Sequence, residues 1–154
     1  MKNFYIKLKI SMNNPEEVKK LLSKDGIQNI DVNLMKNQTL TKLEDVINSF
    51  PKGQSFAKRI VNASDSAPIN SGSLICQNLN EGVRKHYHPE ADEFWIILRG
   101  EHKFEIGKNE EVFLAGPGDI VYCPKNVFHR VTIISKEQGI RFAISLEEKI
   151  ALYE

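Results

Sequence analysis

Hydrophobic positions follow two different periods along this chain, and the change comes near residue 55. Residues 4–10, FYIKLKI, alternate, with Phe4, Ile6, Leu8 and Ile10 on one side, the pattern of a half-buried strand. Asn14 then precedes Pro15 and two glutamates, which predicts a helix start: a capping side chain, a proline in the first turn, and acids at the positive end of the helix dipole. Val18, Leu21 and Leu22 give that helix one apolar stripe, and Gly26 ends it. A second short helix is predicted from Thr41, with Glu44 three residues on as a capping box. Leu43, Val46, Ile47 and Phe50 form its buried face, and Pro51 and Gly53 stop it.

From Ser55 to Leu146 the helical period disappears. Short β-rich runs take its place: SLICQNL, EFWIIL, HKFEI, EVFLA, DIVYC, VFHRVTII and IRFAISL. The turns between them, GKNE, GPGD, PKN and SKEQG, recur at the intervals of an antiparallel barrel or sandwich. The expected organisation is a mixed α/β elaboration over 1–54, an all-β core over 55–146 and a tail over 147–154. The first segment is small for an independent domain. It is expected to pack on the β core or to exchange with a partner subunit.

Composition narrows the function classes. The chain has 154 residues, 41% of them hydrophobic and 27% charged, as expected for a soluble globular domain with a real core. A net charge of +1 offers no basic field for nucleic acid or an acidic membrane surface. Lysines punctuate the N-terminal stretch, so it does not look like a signal peptide, and nothing approaches the roughly 18 apolar residues of a membrane span. Two cysteines, Cys76 and Cys123, make no disulfide framework, and the expected setting is the reducing cytoplasm.

The candidate chemistry lies in RKHYHPEADEFWIILRG, Arg84 to Gly100. The chain has four histidines and places two of them, His86 and His88, one residue apart. Residues i and i+2 of a strand project from the same face, so these two rings point together. If the chain turns over Pro89–Asp92 and pairs back, Glu93 starts the neighbouring strand and reaches the same spot. His129, five residues after Pro124, can supply a fourth ligand from a later strand. Three imidazoles and one carboxylate suit one divalent transition metal, Fe, Mn, Ni, Co, Cu or Zn, rather than Ca or Mg. Four ligands leave positions open on an octahedral ion, which is the mark of a catalytic site.

These spacings resemble the cupin superfamily. HYHPEADEFWIILRG matches its first motif with His86, His88, Glu93 and Gly100, and GDIVYCPKNVFH matches its second with Gly118, Pro124 and His129. Three positions depart from the family pattern. Gly82 lies closer to His86 than the usual leading glycine, Asn126 replaces a turn glycine whose αL backbone Asn tolerates, and Ile133 stands where asparagine is common. None is a ligand position. The resemblance implies a small single-barrel cupin: an antiparallel β-barrel, or double-stranded β-helix (jelly roll), carrying the α/β N-terminal elaboration. It also implies a homodimer and a small-molecule substrate.

Around the site, Arg84 is two residues before His86 and would share the ligand face of a regular strand. There its guanidinium would hold an anionic substrate in a fork; the alternative is a solvent-exposed place at the barrel mouth. Trp95 and Tyr122 are expected as core residues that can wall the cavity, and Cys123 as a buried, inert thiol. Tyr87 and Lys85 should face away, and His102 is expected on the surface. Glu93 and Arg84 are thus the candidate catalytic residues. Three functions are compatible with the set. The first is an isomerase or epimerase acting on a sugar-phosphate-like or hydroxy-carbonyl anion, with the metal as Lewis acid; EFWIILRG resembles the E-x-W-x-V-x-x-G run of sugar-phosphate cupins. The second is an Fe(II)-dependent dioxygenase, and the third a non-enzymatic binding or sensing module.

Overall fold

In the computed structural model, residues 9–11, 13–33, 36–63 and 69–154 are described. Twelve strands and two helices follow one another as β1 (Lys9–Ser11), α1 (Pro15–Lys24), β2 (Asn29–Asp31), α2 (Leu43–Asn48), β3 (Phe56–Asn62), β4 (Ser71–Gln77), β5 (Gly82–Tyr87), β6 (Glu93–Arg99), β7 (His102–Ile106), β8 (Glu111–Ala115), β9 (Ile120–Cys123), β10 (His129–Ile133), β11 (Gly139–Ser145) and β12 (Ile150–Tyr153). They form two six-stranded sheets, β1-β12-β5-β10-β7-β8 and β2-β3-β4-β11-β6-β9. The architecture is the expected jelly roll. Strand pairing does not close it into a barrel, because each sheet keeps its own edge strands.

Helix α1 begins as expected. The Asn14 side chain accepts hydrogen bonds from the backbone N–H groups of Glu16 and Glu17 and satisfies two of the helix's free donors. The helix stops at Asp25, and Gly26 takes the left-handed backbone (φ 82°) that releases the chain. Val18, Leu21 and Leu22 are buried, each worth about 1.5–3 kcal/mol, and they dock the helix over the space between the sheets. The second helix departs from expectation. It starts at Leu43 with Lys42 at the cap and no side-chain cap bond, so Thr41 and Glu44 do not form a capping box. Glu44 instead accepts a 2.6 Å hydrogen bond from Arg99 of β6. A tertiary ion pair has taken the side chain that the local motif would use.

The N-terminal segment is woven into both sheets. Of the strand predicted over 4–10, residues 4–8 lie outside the described residues; Lys9–Ser11 pair antiparallel with β12. β2 adds to β3 as a parallel pair. Residues 147–154, set apart as a tail in the sequence, contribute β12, which joins β5 to β1.

Alternation correctly separates two faces on the central strands, but the faces are assigned by packing. In β11, Arg141, Ala143 and Ser145 turn inward, while Ile140 packs against α2 with Val46, Phe56 and Leu74. One half of the interior is apolar, built from Trp95, Ile97, Phe104 and Val131. The other half is polar and contains the cavity described below.

His102 overturns the surface expectation. It is fully buried beside Phe104, on the inner face of β7. Gly82 shows why a glycine stands at the start of β5: a Cβ there would sit 1.9 Å from the Val131 carbonyl oxygen of β10. Gly82→Ala should therefore lose about 3 kcal/mol through forced separation of β5 and β10, measured by urea denaturation; parental stability would show that the two strands do not approach so closely.

Burial, reinforced by the Arg141 charge, pushes the His102 ring down from 6.5 to about 3. The unfolded chain takes up a proton on this ring as the pH falls through about 6.5, whereas the folded protein does so only near 3. The unfolded state thus binds more protons in that window, and stability declines on acidification by roughly 1.4 kcal/mol per pH unit. Denaturation curves for His102→Leu across the same window should lack this share of the slope. An unchanged slope would place the acid sensitivity elsewhere.

Candidate metal centre

The four predicted ligands come together, and all four are buried. β5 carries His86, and His88 follows directly after it. Glu93 opens β6 and His129 opens β10. His86 and His129 are directly opposed across the β5–β10 pair. The hairpin that brings in His129 is tied to the first motif, since Asn126 N–H donates to the His88 carbonyl at 2.6 Å and Lys125 N–H donates to Asp92 at 2.8 Å. Asn126 has the expected left-handed backbone, with φ 64°. One candidate ligand atom from each residue lies within 4.8 Å of the others.

Hydrogen bonding settles which ring atoms face inward. Nδ1 of His86 lies 2.7 Å from the Arg84 carbonyl, Nδ1 of His88 lies 2.9 Å from the Ile150 carbonyl, and Nδ1 of His129 lies 3.3 Å from the Val127 carbonyl. A carbonyl only accepts, so each Nδ1 carries the proton and each neutral ring presents a bare Nε2 lone pair. Those lone pairs meet. His86 Nε2 is 3.1 Å from His129 Nε2, and Glu93 Oε2 is 2.9 Å from His88 Nε2 and 3.4 Å from His129 Nε2. Acceptors facing acceptors in a dry interior repel unless a cation sits among them, and this is how backbone-bound imidazoles hold a metal. The residues fit a divalent transition ion.

Burial, with the neighbouring His129 and His88, holds the His86 ring well below its ordinary value, and burial lowers His88 as well. For Glu93, burial works to raise the carboxyl, but the Lys149 ammonium and the His88 ring overcome it and keep it well below the usual range. Lys149 donates to Glu93 Oε1 at 2.5 Å, which leaves Oε2 toward the histidines. Trp95 packs on His129 with ring centroids 5.1 Å apart, and Tyr153 stacks on His86 at 4.9 Å.

Arg84 does not share the ligand face. The β5–β10 register shifts between His129 and Val131, so that His86 opposes His129 while Val83, three residues earlier, opposes Val131. The extra residue breaks the i, i+2 relation. The side chain of Arg84 is 44% exposed and donates from Nε to Asp25 Oδ1 at 2.6 Å, at the rim of the cavity. Tyr122 is exposed on the outer face against Phe94 and is neither core nor cavity wall. Trp95 does line the cavity. Cys123 is buried with Sγ 3.4 Å from His129 Nδ1, and burial pushes its thiol up to about 12. Tyr87 packs on Phe128, and Lys85 pairs with Glu110 and Glu154.

The cavity beside the histidines has a volume of about 60 Å³ and is closed over by α1. Sequence reasoning missed four polar residues that line it: Asp25, Arg59, Arg141 and Lys149. Arg141 left a faint signal, a lone cation amid the apolar run IRFAI. Lys149 left none, since it stands in the charged stretch EEK.

The cupin domain family model matches residues 76–145, the stretch that carries all four ligands. An uncharacterized conserved protein with a double-stranded β-helix domain from Klebsiella pneumoniae has the same fold, at 15% identity and TM-score 0.62 over 77% of this chain and 99% of that one. The chain belongs to the cupin superfamily. This cupin is also similar in fold to TT1209 from Thermus thermophilus, at 16% identity and TM-score 0.58 over 70% and 96% of the two chains. A protein from Acidithiobacillus ferrooxidans, provisionally named a sugar phosphate isomerase, matches at 18% identity and TM-score 0.55 over 69% and 73%. No curated protein matches the chain. Among the described residues, no helix is long and apolar enough to cross a membrane.

Glu93→Gln keeps the shape but removes the anionic ligand and leaves Lys149 without its carboxylate. Zinc affinity, measured by chelator competition on the folded variant, should fall at least about tenfold. Parental affinity would remove Glu93 from the ligand set.

Proposed function

We propose that this cupin is a metal-dependent enzyme acting on a small, oxygen-rich anion, with isomerisation or epimerisation of a hydroxy-carbonyl compound as its reaction. The observation that carries this reading is the convergence of three Nε2 lone pairs and Glu93 Oε2, with every Nδ1 committed to a backbone carbonyl. A divalent metal held by His86, His88, Glu93 and His129 supplies Lewis acidity toward neighbouring substrate oxygens. The chain's own groups do the rest. Glu93 is held by Lys149 so that one carboxylate oxygen faces the histidines. Trp95 walls the site beside His129. The apolar side chains of α1 shut bulk water out of the cavity, which strengthens every charge interaction inside it.

The Acidithiobacillus ferrooxidans protein shares the fold; the isomerase direction rests on the site and the polar cavity beside it. The substrate is a small metabolite, and the same donor set serves iron-dependent oxygen chemistry equally well. Metal identity separates the two.

Elemental analysis of protein purified without chelators or a metal-affinity tag tests the proposal, with a His86→Ala/His88→Ala double variant alongside. Near-stoichiometric metal in the parent, lost in the variant, is the expected outcome. Zinc, or turnover with several divalent ions in the absence of oxygen, supports isomerisation. Strict iron with oxygen consumption moves the protein to the dioxygenases. A parent that neither contains nor takes up metal leaves a ligand-binding module.

A further inference from the structure

The cavity has a second pole, away from the histidines, built from two buried groups that the metal centre does not use. Arg141 on the inner face of β11 is 1% exposed. Its one hydrogen bond runs from Nη2 to Gln77 Oε1 at 2.9 Å, and Gln77 is itself anchored by donating to the Gly82 carbonyl. Nε and Nη1 of Arg141 have no partner, and no carboxylate among the described residues forms an ion pair with it. Burying a guanidinium in this way is costly unless something anionic meets it.

Asp25 presents the opposite problem. It closes α1 as the C-cap residue, so its carboxylate sits at the negative end of the helix dipole. Its side chain is 1% exposed, and only Oδ1 is used, by Arg84; Oδ2 is buried without a partner. Burial raises this carboxyl in spite of Arg84. One wall of the cavity therefore offers unused N–H donors, and another an unused carboxylate acceptor. A molecule that satisfies both carries an anionic oxygen for the first and an O–H for the second. The space of about 60 Å³ accommodates only a few water-sized groups, which favours a carboxylate over a phosphate ester.

We propose that Arg141 and Asp25 are a recognition pair for a compact hydroxycarboxylate, Arg141 binding its carboxylate and Asp25 Oδ2 accepting from its hydroxyl, within reach of the metal-site residues. This names the substrate class of the function proposed above and rests on that reading only for the contact at the metal end.

The test is calorimetric titration of the full-length, as-isolated protein with glycolate, acetate and inorganic phosphate, comparing the parent with Arg141→Gln, Arg141→Lys and Asp25→Asn. Metal content and melting temperature are measured on every sample. Glycolate should bind the parent at least about tenfold more tightly than acetate, which lacks the hydroxyl. Arg141→Gln should weaken glycolate about tenfold to a hundredfold while keeping its metal, and Arg141→Lys should recover part of the loss. Asp25→Asn should erase the preference for glycolate over acetate. Glycolate affinity unchanged in folded Arg141→Gln, absence of glycolate binding to the parent at millimolar concentration, or tighter binding of phosphate would each overturn the pair. Failure of the metal reading shows separately, as a parent without metal, whatever the titration gives.

Discussion

Three imidazole lone pairs and a carboxylate oxygen are held against one another in a dry interior, and the surrounding structure is what keeps them there. Left to themselves these acceptors would separate or take up protons. Each ring is instead pinned from behind by a backbone carbonyl: Arg84 for His86, Ile150 for His88 and Val127 for His129. Those carbonyls belong to three different places, the strand that carries His86, the C-terminal strand β12 and the hairpin leading into β10. The site is therefore only as rigid as the pairing of β5 with both β10 and β12. Lys149, on the approach to β12, completes the arrangement by fixing Glu93 from its other oxygen. The C-terminal residues thus hold two of the four ligands in place.

A polar interior has to be offset by apolar burial elsewhere. In the second sheet the inner face is small or charged, with Arg59, Ser71, Ser73, Arg141 and Ala143 lining the cavity. The greasy side of the same strands faces outward, where α2 covers part of it through Val46 against Phe56, Leu74 and Ile140. α1 seals the mouth with Val18, Leu21 and Leu22 and simultaneously delivers Asp25 to the rim of the site. The N-terminal elaboration therefore has a physical task in this cupin: it supplies hydrophobic contact that the functional cavity gives up, and it excludes water from that cavity.

Much of this was legible before any coordinates. The shift from helical to strand period near Ser55, the cap at Asn14, the stop at Gly26 and the αL turn at Asn126 all depend on local backbone chemistry, and each appears where the residues place it. The ligand set was legible because metal spacing on strands is short-range: His86 and His88 are near neighbours, and Glu93 is one turn away. The failures share a cause as well. Arg84 was assigned to the ligand face by a parity that one extra residue in β5 reverses. Glu44 was drawn from its capping role by Arg99, fifty-five residues distant. His102 looked like a surface residue because nothing adjacent in the chain reveals that β7 turns it into the core.

Arg141 and Lys149 mark the boundary between the two kinds of information. The alternation in IRFAIS determines that Arg141, Ala143 and Ser145 share one face and Ile140, Phe142 and Ile144 the other. Which face is inside depends on the layers packed against the sheet, and here α2 covers part of the apolar one. Lys149 lies fifty-six residues from Glu93, and their contact exists only because β12 returns beside β5. By itself the sequence determined the elements, the cupin motifs and the four ligands, since these rest on local propensity and on spacings of a few residues. The tertiary structure decided which charges enter the cavity, because that follows from sheet packing and from contacts between residues far apart in the chain.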